Sequence, residues 1–334
     1  MKRGFDTKQY SKAQTLEILK RAQKFDKLYL EIGGKLLSDD HASRVLPGYN
    51  RTCKLKIIRE LQDPEIIYCI NTKDLISKRH VGRYNLTTEE KALKDLVDLE
   101  ILGFKPKVVI TRFEKEKSIK NFVTIIKKMK LRVYLLSEIA NYGDMQATLV
   151  GYKKQKLIPT KSKLVVITGV GSDSGKMGFA LSQIYKEQQK GKKGKIGFTK
   201  FESFPVWNLP ISHPINLAYE AATADVKDKN MIDPFHLKAY HKRAVNYNRD
   251  IENFKILAKL IKQTSGTKYP FGYKSPTDMG INMISTGITN DKICKEAAKI
   301  EIKKRYQDYE KEFKLGNIKE DIITRAKEIL KKSS

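Results

Sequence analysis

The chain has 334 residues, a hydrophobic fraction of 40% and a formal net charge of +28, enough length and apolar content for two domains with their own cores. It has no apolar run of membrane-spanning length, its opening MKRGFDTKQYSKAQ lacks the apolar stretch of a signal peptide, and its three cysteines (Cys53, Cys69, Cys294) lie too far apart in sequence for a disulfide framework or a cysteine-rich zinc site. The expected setting is the reducing cytoplasm, with no membrane partner.

In chain order, residues 8–25 have the spacing of an amphipathic helix and LYLEI (28–32) reads as a strand. CKLKIIREL (53–61) predicts a short helix and EIIYCIN (65–71) a second strand. Thr87 and Glu90 form a capping box for a helix running to about Leu102. KVVIT (107–111) is a third strand, 115–129 a helix and LRVYLL (131–136) a fourth strand. Strands alternating with helices argue for a parallel sheet. Weak periodicity and Pro159 over 141–162 place a domain boundary there, giving an N-terminal α/β domain over 1–150. A P-loop-like α/β domain is expected over 151–290. It has KLVVI and KIGFTKF (195–201) as strands, a proline-rich segment at 204–214, and helices at 215–224 and 249–263. Residues 291–334 read as charged amphipathic helices broken near Gly316. The fold class expected is α/β: two Rossmann-like or P-loop-like parallel-sheet domains with a helical C-terminal extension.

The most telling stretch is KLVVITGVGSDSGKMGFALSQIY (163–185). A buried strand runs into a Gly- and Ser-rich loop, then Gly175-Lys176, then an amphipathic helix. Such a loop aims backbone N–H groups at a phosphate while the lysine adds a point charge. Gly169, Gly171, Ser172, Ser174, Gly175 and Lys176 are therefore the candidate phosphate-binding residues. The spacing departs from the usual motif: Gly169 leaves five residues before the Gly-Lys and Gly171 leaves three. Met177 stands where a Mg²⁺-binding hydroxyl is usual. A glycine-rich strand-to-helix turn that binds nothing would carry the same residues. The five-residue gap resembles the loops of dethiobiotin synthetase and CTP synthase, ATP-dependent enzymes that activate carboxylate or carbonyl oxygens.

Lys200 and Glu202 end a predicted strand, where open α/β sheets bind ligands. A lysine in the similar place of dethiobiotin synthetase lies near the ATP phosphates; the plain alternative is a surface ion pair. Asp225 and Asp233 are candidate Mg²⁺ ligands, although Asp233 equally suits the cap of a helix opening at Pro234. His236 is a candidate proton carrier, and otherwise a lone polar histidine. Arg249 either clamps an anion or belongs to a helix-start charge cluster. In EIGGKLLSDDHASRVLPGY (31–49), Gly33-Gly34 follows a strand directly, placing Lys35, His41 and Arg44 to meet an anion, unless the glycines mark only a bulge.

Taken together, GGKLLSDDHASRVLPGY, the loop ending SGK, KFESFPVWNLPISHPINLAYEAATAD, NMIDPFHLKAY, AVNYNRDIE and YKSPTDMGIN resemble the bacterial "domain of unknown function 1846" family, from Phe5 to about Tyr309. The resemblance implies a cytoplasmic bacterial protein with α/β domains and no assigned reaction. Members of that family continue at the C-terminus by about one further domain. The reading favoured by the residues is an ATP-dependent enzyme that activates a small acidic or carbonyl-bearing substrate by phosphoryl transfer, with Mg²⁺ and ATP or another nucleotide as cofactors. The alternative is a non-catalytic sensor of a nucleotide or phosphorylated metabolite, which Met177 favours. A homo-oligomer is compatible with either.

The positive charge is spread along the chain as lysine, without an RNA-binding aromatic signature or a zinc finger, so no specific nucleic-acid partner is expected. Duplex DNA should therefore bind weakly, without sequence preference, and be released near physiological salt. Anisotropy titrations over a salt series check this, because log K falls by about 0.9 per phosphate neutralised against log[salt]. Tight, sequence-selective binding at physiological salt would overturn it.

Overall fold

The computed structural model describes residues 3–81, 86–114, 117–171, 173–189, 194–265 and 270–333. Seven strands form the main sheet: β1 (Lys27–Ile32), β2 (Glu65–Asn71), β3 (Lys107–Phe113), β4 (Val133–Ser137), β5 (Leu164–Gly169), β6 (Ile196–Phe201) and β7 (Gly280–Ile281). The larger helices are α1 (Thr7–Gln23), α2 (Asp40–Val45), α3 (Cys53–Glu60), α4 (Thr88–Ile101), α5 (Lys120–Lys128), α6 (Met145–Lys154), α7 (Lys176–Gln189), α8 (Pro214–Ala222), α9 (Pro234–Tyr240), α10 (Asn248–Ser265), α11 (Asp291–Lys314) and α12 (Glu320–Ser333).

The sheet order is β7-β6-β1-β5-β2-β3-β4, and the pairings are parallel. The α/β class, the parallel strands and the helical C-terminal region are as the sequence indicates. Strands from the two sides of residue 150 nevertheless share this one sheet, because β1 lies between β5 and β6. Its register sets Glu31 beside Ile167 on one side and Lys200 on the other. The central strands are mostly apolar because both sheet faces are covered; β5 and β6 are buried at every position, and the charged residues Glu31 and Lys200 fall near the carboxyl ends of β1 and β6. Leu28, Leu30, Ile67, Val109, Val166 and Phe198 belong to one continuous core.

Local signals account for several helix ends. Thr87 caps α4 by accepting from the Glu90 N–H at 3.3 Å while Glu90 accepts from the Thr87 N–H at 2.8 Å. Lys117–Ile119 forms a 3₁₀ turn ahead of α5, while residues 115 and 116 lie outside the described residues. The stretch 141–162, read as aperiodic, contains α6, which buries Thr148 and Tyr152.

The proline-rich segment after β6 is held by side-chain amides. Asn216 on α8 is fully buried, accepts from the Val206 N–H at 2.7 Å, and donates to the Val206 and Pro210 carbonyls, both at 3.1 Å. Asn282 donates to the Pro205 carbonyl at 2.9 Å, and its own carbonyl accepts from the Trp207 indole at 2.8 Å. Asn216→Ala should therefore leave the buried Val206 N–H unpaired and lower unfolding stability by about 1–3 kcal/mol, measured by urea denaturation. A variant as stable as the parent would contradict this account of the segment.

Candidate functional site

All the strands of a parallel sheet end at one edge, and the loops leaving that edge enclose a cavity of about 900 Å³. Its floor is set by the order of the sheet. From β1 the chain crosses one way to β2, and from the adjacent β5 it crosses the other way to β6; such a reversal opens a crevice at the carboxyl ends of the strands.

The glycine-rich loop after β5 is tied down from neighbouring strands. The Thr111 hydroxyl at the end of β3 donates to the Ser174 carbonyl at 3.0 Å, and the Asn71 amide at the end of β2 donates to the Asp173 carbonyl at 3.3 Å. Within the loop, the Ser174 hydroxyl and the Lys176 ammonium both donate to the Gly171 carbonyl, at 2.6 and 3.0 Å. Gly175 has φ +79°, and a Cβ there would lie 2.7 Å from the Thr111 hydroxyl, so only glycine fits. α7 begins at Lys176.

The turn after β1 meets this loop across the cavity. The Gly33 N–H donates to the Phe201 carbonyl at 2.8 Å, and the Gly33 carbonyl accepts from Lys54 at 2.6 Å. Lys54, 1% exposed, also pairs with Asp39 at 2.7 Å. Burial opposes ionisation of Asp39, but Lys54 and the Ala42 N–H hold its carboxyl below the usual range. Lys35 lines the same wall, its pKa lowered by burial and by Lys91.

At the end of β6, buried Lys200 pairs with Asp250 on α10. Burial works against its charge, but Asp250, Glu31 and Glu202 together raise its pKa, so it stays cationic. Burial and the neighbouring Asp250 push the Glu202 carboxyl well above its ordinary value despite Lys200, which favours its protonated form. Arg249 pairs with Asp228 at 2.8 Å. Glu31, at the end of β1, carries a buried Oε2 without a hydrogen-bond partner among the described residues.

Of the residues singled out from sequence, Lys200, Glu202, Arg249, Gly33, Gly34, Lys35, Arg44, Gly171, Gly175 and Lys176 line this one cavity. Gly169 and Ser174 support the loop without lining the cavity; a Cβ at Gly169 would lie 2.4 Å from the Cys69 carbonyl. Ser172 lies outside the described residues.

Three candidates fall elsewhere. Asp233 is fully buried, and its oxygens are consumed: Oδ1 accepts from the Phe235 and His236 N–H groups, and Oδ2 from the Thr277 N–H and hydroxyl. It caps α9, so its helix-cap alternative is the one realised and no lone pair is left for Mg²⁺. Asp225 is exposed, is not part of the cavity lining, and accepts from the Tyr309 hydroxyl at 3.3 Å. His236 bonds Ser275 at 3.1 Å and packs on Tyr240 and Trp207, outside the cavity. Burial lowers its pKa. Glu31, Asp250, Glu301 and Arg305 line the cavity without having been singled out; only Glu31 had a local signal, its place two residues before Gly33-Gly34 near a strand end.

No group of three or more His, Cys, Asp or Glu among the described residues is arranged to hold a metal ion. No helix among them is long and apolar enough to cross a membrane.

Fold and site define an α/β protein with a charged cavity, built around a glycine-rich loop, at the carboxyl edge of a parallel sheet. The model of the family described as "Domain of unknown function DUF1846, N-terminal" matches residues 3–334, and the chain belongs to that family. It is 42% identical over 335 residues to a UPF0371 protein of Clostridium tetani, covering 99% of this chain and 66% of the relative. A UPF0371 protein of Fusobacterium nucleatum is also 42% identical, over 99% of this chain and 65% of its own length. One of Clostridioides difficile is 40% identical over 337 residues, with 99% and 66% covered. The chain thus spans about two thirds of the length of the curated relatives it matches.

His41 offers a pH test of the cavity wall. Its ring meets Phe204 edge-on at 4.9 Å and Tyr219 at 5.7 Å, and neither nitrogen has a partner among the described residues. Burial lowers its pKa from about 6.5 to about 4, with Asp39 and Glu301 opposing and Arg305 and Arg44 assisting. The unfolded chain then binds the extra proton between those values, so the contribution is complete above about pH 6.5 and is lost as pH falls toward 4. Urea denaturation at a series of pH values should show stability falling over that window, and His41→Phe should flatten the fall while matching the parent at pH 7. Parallel curves for the two proteins would refute the assignment.

Proposed function

We propose that the cavity binds a nucleoside triphosphate, with its phosphates on the loop from Gly171 to Lys176, and that the site activates a small acidic or carbonyl-bearing substrate by phosphoryl transfer. The observation that carries this reading is Lys176. It stands at the start of α7 on the cavity wall, with its ammonium folded onto the Gly171 carbonyl and no carboxylate partner among the described residues. A cation so placed, beside backbone N–H groups at a helix start, is completed by an anion.

The remaining groups fit the chemistry. Phosphoryl transfer needs positioning and charge stabilisation more than covalent help. Lys200, kept cationic, would steady the transferred group, and Glu202 would carry a proton to or from the substrate oxygen. Mg²⁺ would be held by phosphate oxygens and Glu31, whose unpartnered Oε2 replaces Asp225 and Asp233 as the candidate ligand; bound there, the ion would neutralise phosphate charge. Met177, on the cavity wall in place of a hydroxyl residue, supports a second reading in which the ligand is held without turnover.

Calorimetry with ATP, ADP and inorganic phosphate tests the reading. Lys176→Ala should weaken nucleotide binding by about 1.5–3 kcal/mol, the loss of a charge-assisted contact. Equal affinity in variant and parent would sink it. ADP release in the presence of small carboxylic acids separates the enzyme from the sensor.

A further inference from the structure

A second group of cations on the cavity wall has no part in holding the loop. Arg44 comes from α2 and Arg305 from α11, near opposite ends of the chain. Both donate their Nε to the same oxygen, Oε1 of Glu301, at 2.8 and 2.9 Å. Glu301 is 3% exposed, so its carboxylate is a fixed bracket. Burial opposes its ionisation, but Arg305 and Arg44 hold its carboxyl below the usual range. The arginine side chains themselves remain 33% and 30% exposed and line the cavity. Their terminal nitrogens make no hydrogen bond to the described residues, so each guanidinium still has donors to offer.

Charge decides which anion fits. The two guanidinium groups are offset by one carboxylate, leaving a single net positive charge. Lys304 and Asp308, one turn apart on the exposed rim, cancel each other, and His41 beside the arginines is neutral. One positive charge with planar donor forks matches a carboxylate better than a phosphate dianion, which the loop and Lys176 suit.

We propose that Arg44 and Arg305, braced by Glu301, form a carboxylate-binding subsite, so that the substrate is a small carboxylic acid whose carboxylate is held apart from the phosphates on the glycine-rich loop. This deepens the phosphoryl-transfer reading and rests on it for the loop, while the subsite stands on its own geometry.

The test uses the whole chain and measures thermal stabilisation and calorimetric affinity at constant ionic strength. The probes are acetate, succinate and L-glutamate, with chloride as the control anion and ATP as the loop ligand. At least one carboxylate should bind the parent where chloride does not. Arg305→Gln and Arg44→Gln should each weaken that binding roughly ten- to a hundredfold and leave ATP affinity unchanged. Lys176→Ala should do the reverse. Arg305→Lys keeps the charge but loses the fork, and should behave like the glutamine variants. Unchanged ATP binding in the arginine variants shows that they fold. The proposal is overturned if none of the three carboxylates binds the parent, or if they bind the parent and Arg305→Gln equally. Carboxylate binding that depends on the arginines, with no ATP binding by the parent, would sink the phosphate reading alone.

Discussion

The insertion of β1 between β5 and β6 is the constraint on which the rest of the molecule depends. β1 hydrogen-bonds to both, so the first strand of the chain must wait for partners more than a hundred residues downstream. Once seated, its register puts Glu31 beside Ile167 and Lys200, and the Gly33-Gly34 turn against the end of β6. Because the strands run parallel, the loops after β1, β5 and β6 leave from the same edge. A slip of one residue would send Glu31 to the other face and Leu30 or Ile32 toward the charged end. The apolar residues that build the core therefore also aim the site.

Charge is distributed unevenly around that edge, and the unevenness carries the chemistry. Lys200 has Asp250, Arg249 has Asp228, and Lys54 has Asp39. Such pairs are weak sources of stability: desolvation offsets much of the attraction in the buried Lys200–Asp250 and Lys54–Asp39 pairs, and solvent screens the half-exposed Arg249. Their effect here is to fix side chains and leave little net charge. Lys176 is not balanced in this way, and Arg44 and Arg305 share a single carboxylate. The positive potential available to a ligand is thus local, set by which cations lack a matching anion. The formal +28 of the whole chain does not set it.

Strands and glycine-rich loops were legible in the sequence for physical reasons. A parallel strand covered on both faces is built around a run of apolar and β-branched residues, so EIIYCIN and KIGFTKF announce themselves, and the observed β2 and β6 match them to within a residue. The capping box at Thr87 is equally local. What could not be read locally was pairing across the chain. Glu301 and Arg305, four apart on a lysine-rich helix, look like an ordinary surface pair until Arg44 arrives from α2. Asp233 and His236 erred in the opposite direction: their residue types suggested chemistry, but Thr277 and Ser275 claim their polar atoms. Even β1 gave no hint in its own residues that it sits between strands of the other half.

The same distinction explains the polar richness of residues 200–282. Proline in the segment after β6 removes backbone donors and bars regular pairing, so Asn216 and Asn282 supply amide bonds in place of a strand ladder. That support gives the cavity a rigid aromatic side. Phe204 stacks on Tyr219 with ring centroids 5.7 Å apart, Tyr219 stacks on Tyr247 at the same spacing, and His41 closes edge-on against Phe204. An uncharged wall of this kind lowers the local dielectric and strengthens every unbalanced charge facing it. Asn216 and Asn282 thus act one step removed: they fix the backbone that follows Phe204, and the aromatic wall sharpens the pull of Lys176 and the paired arginines on an anion.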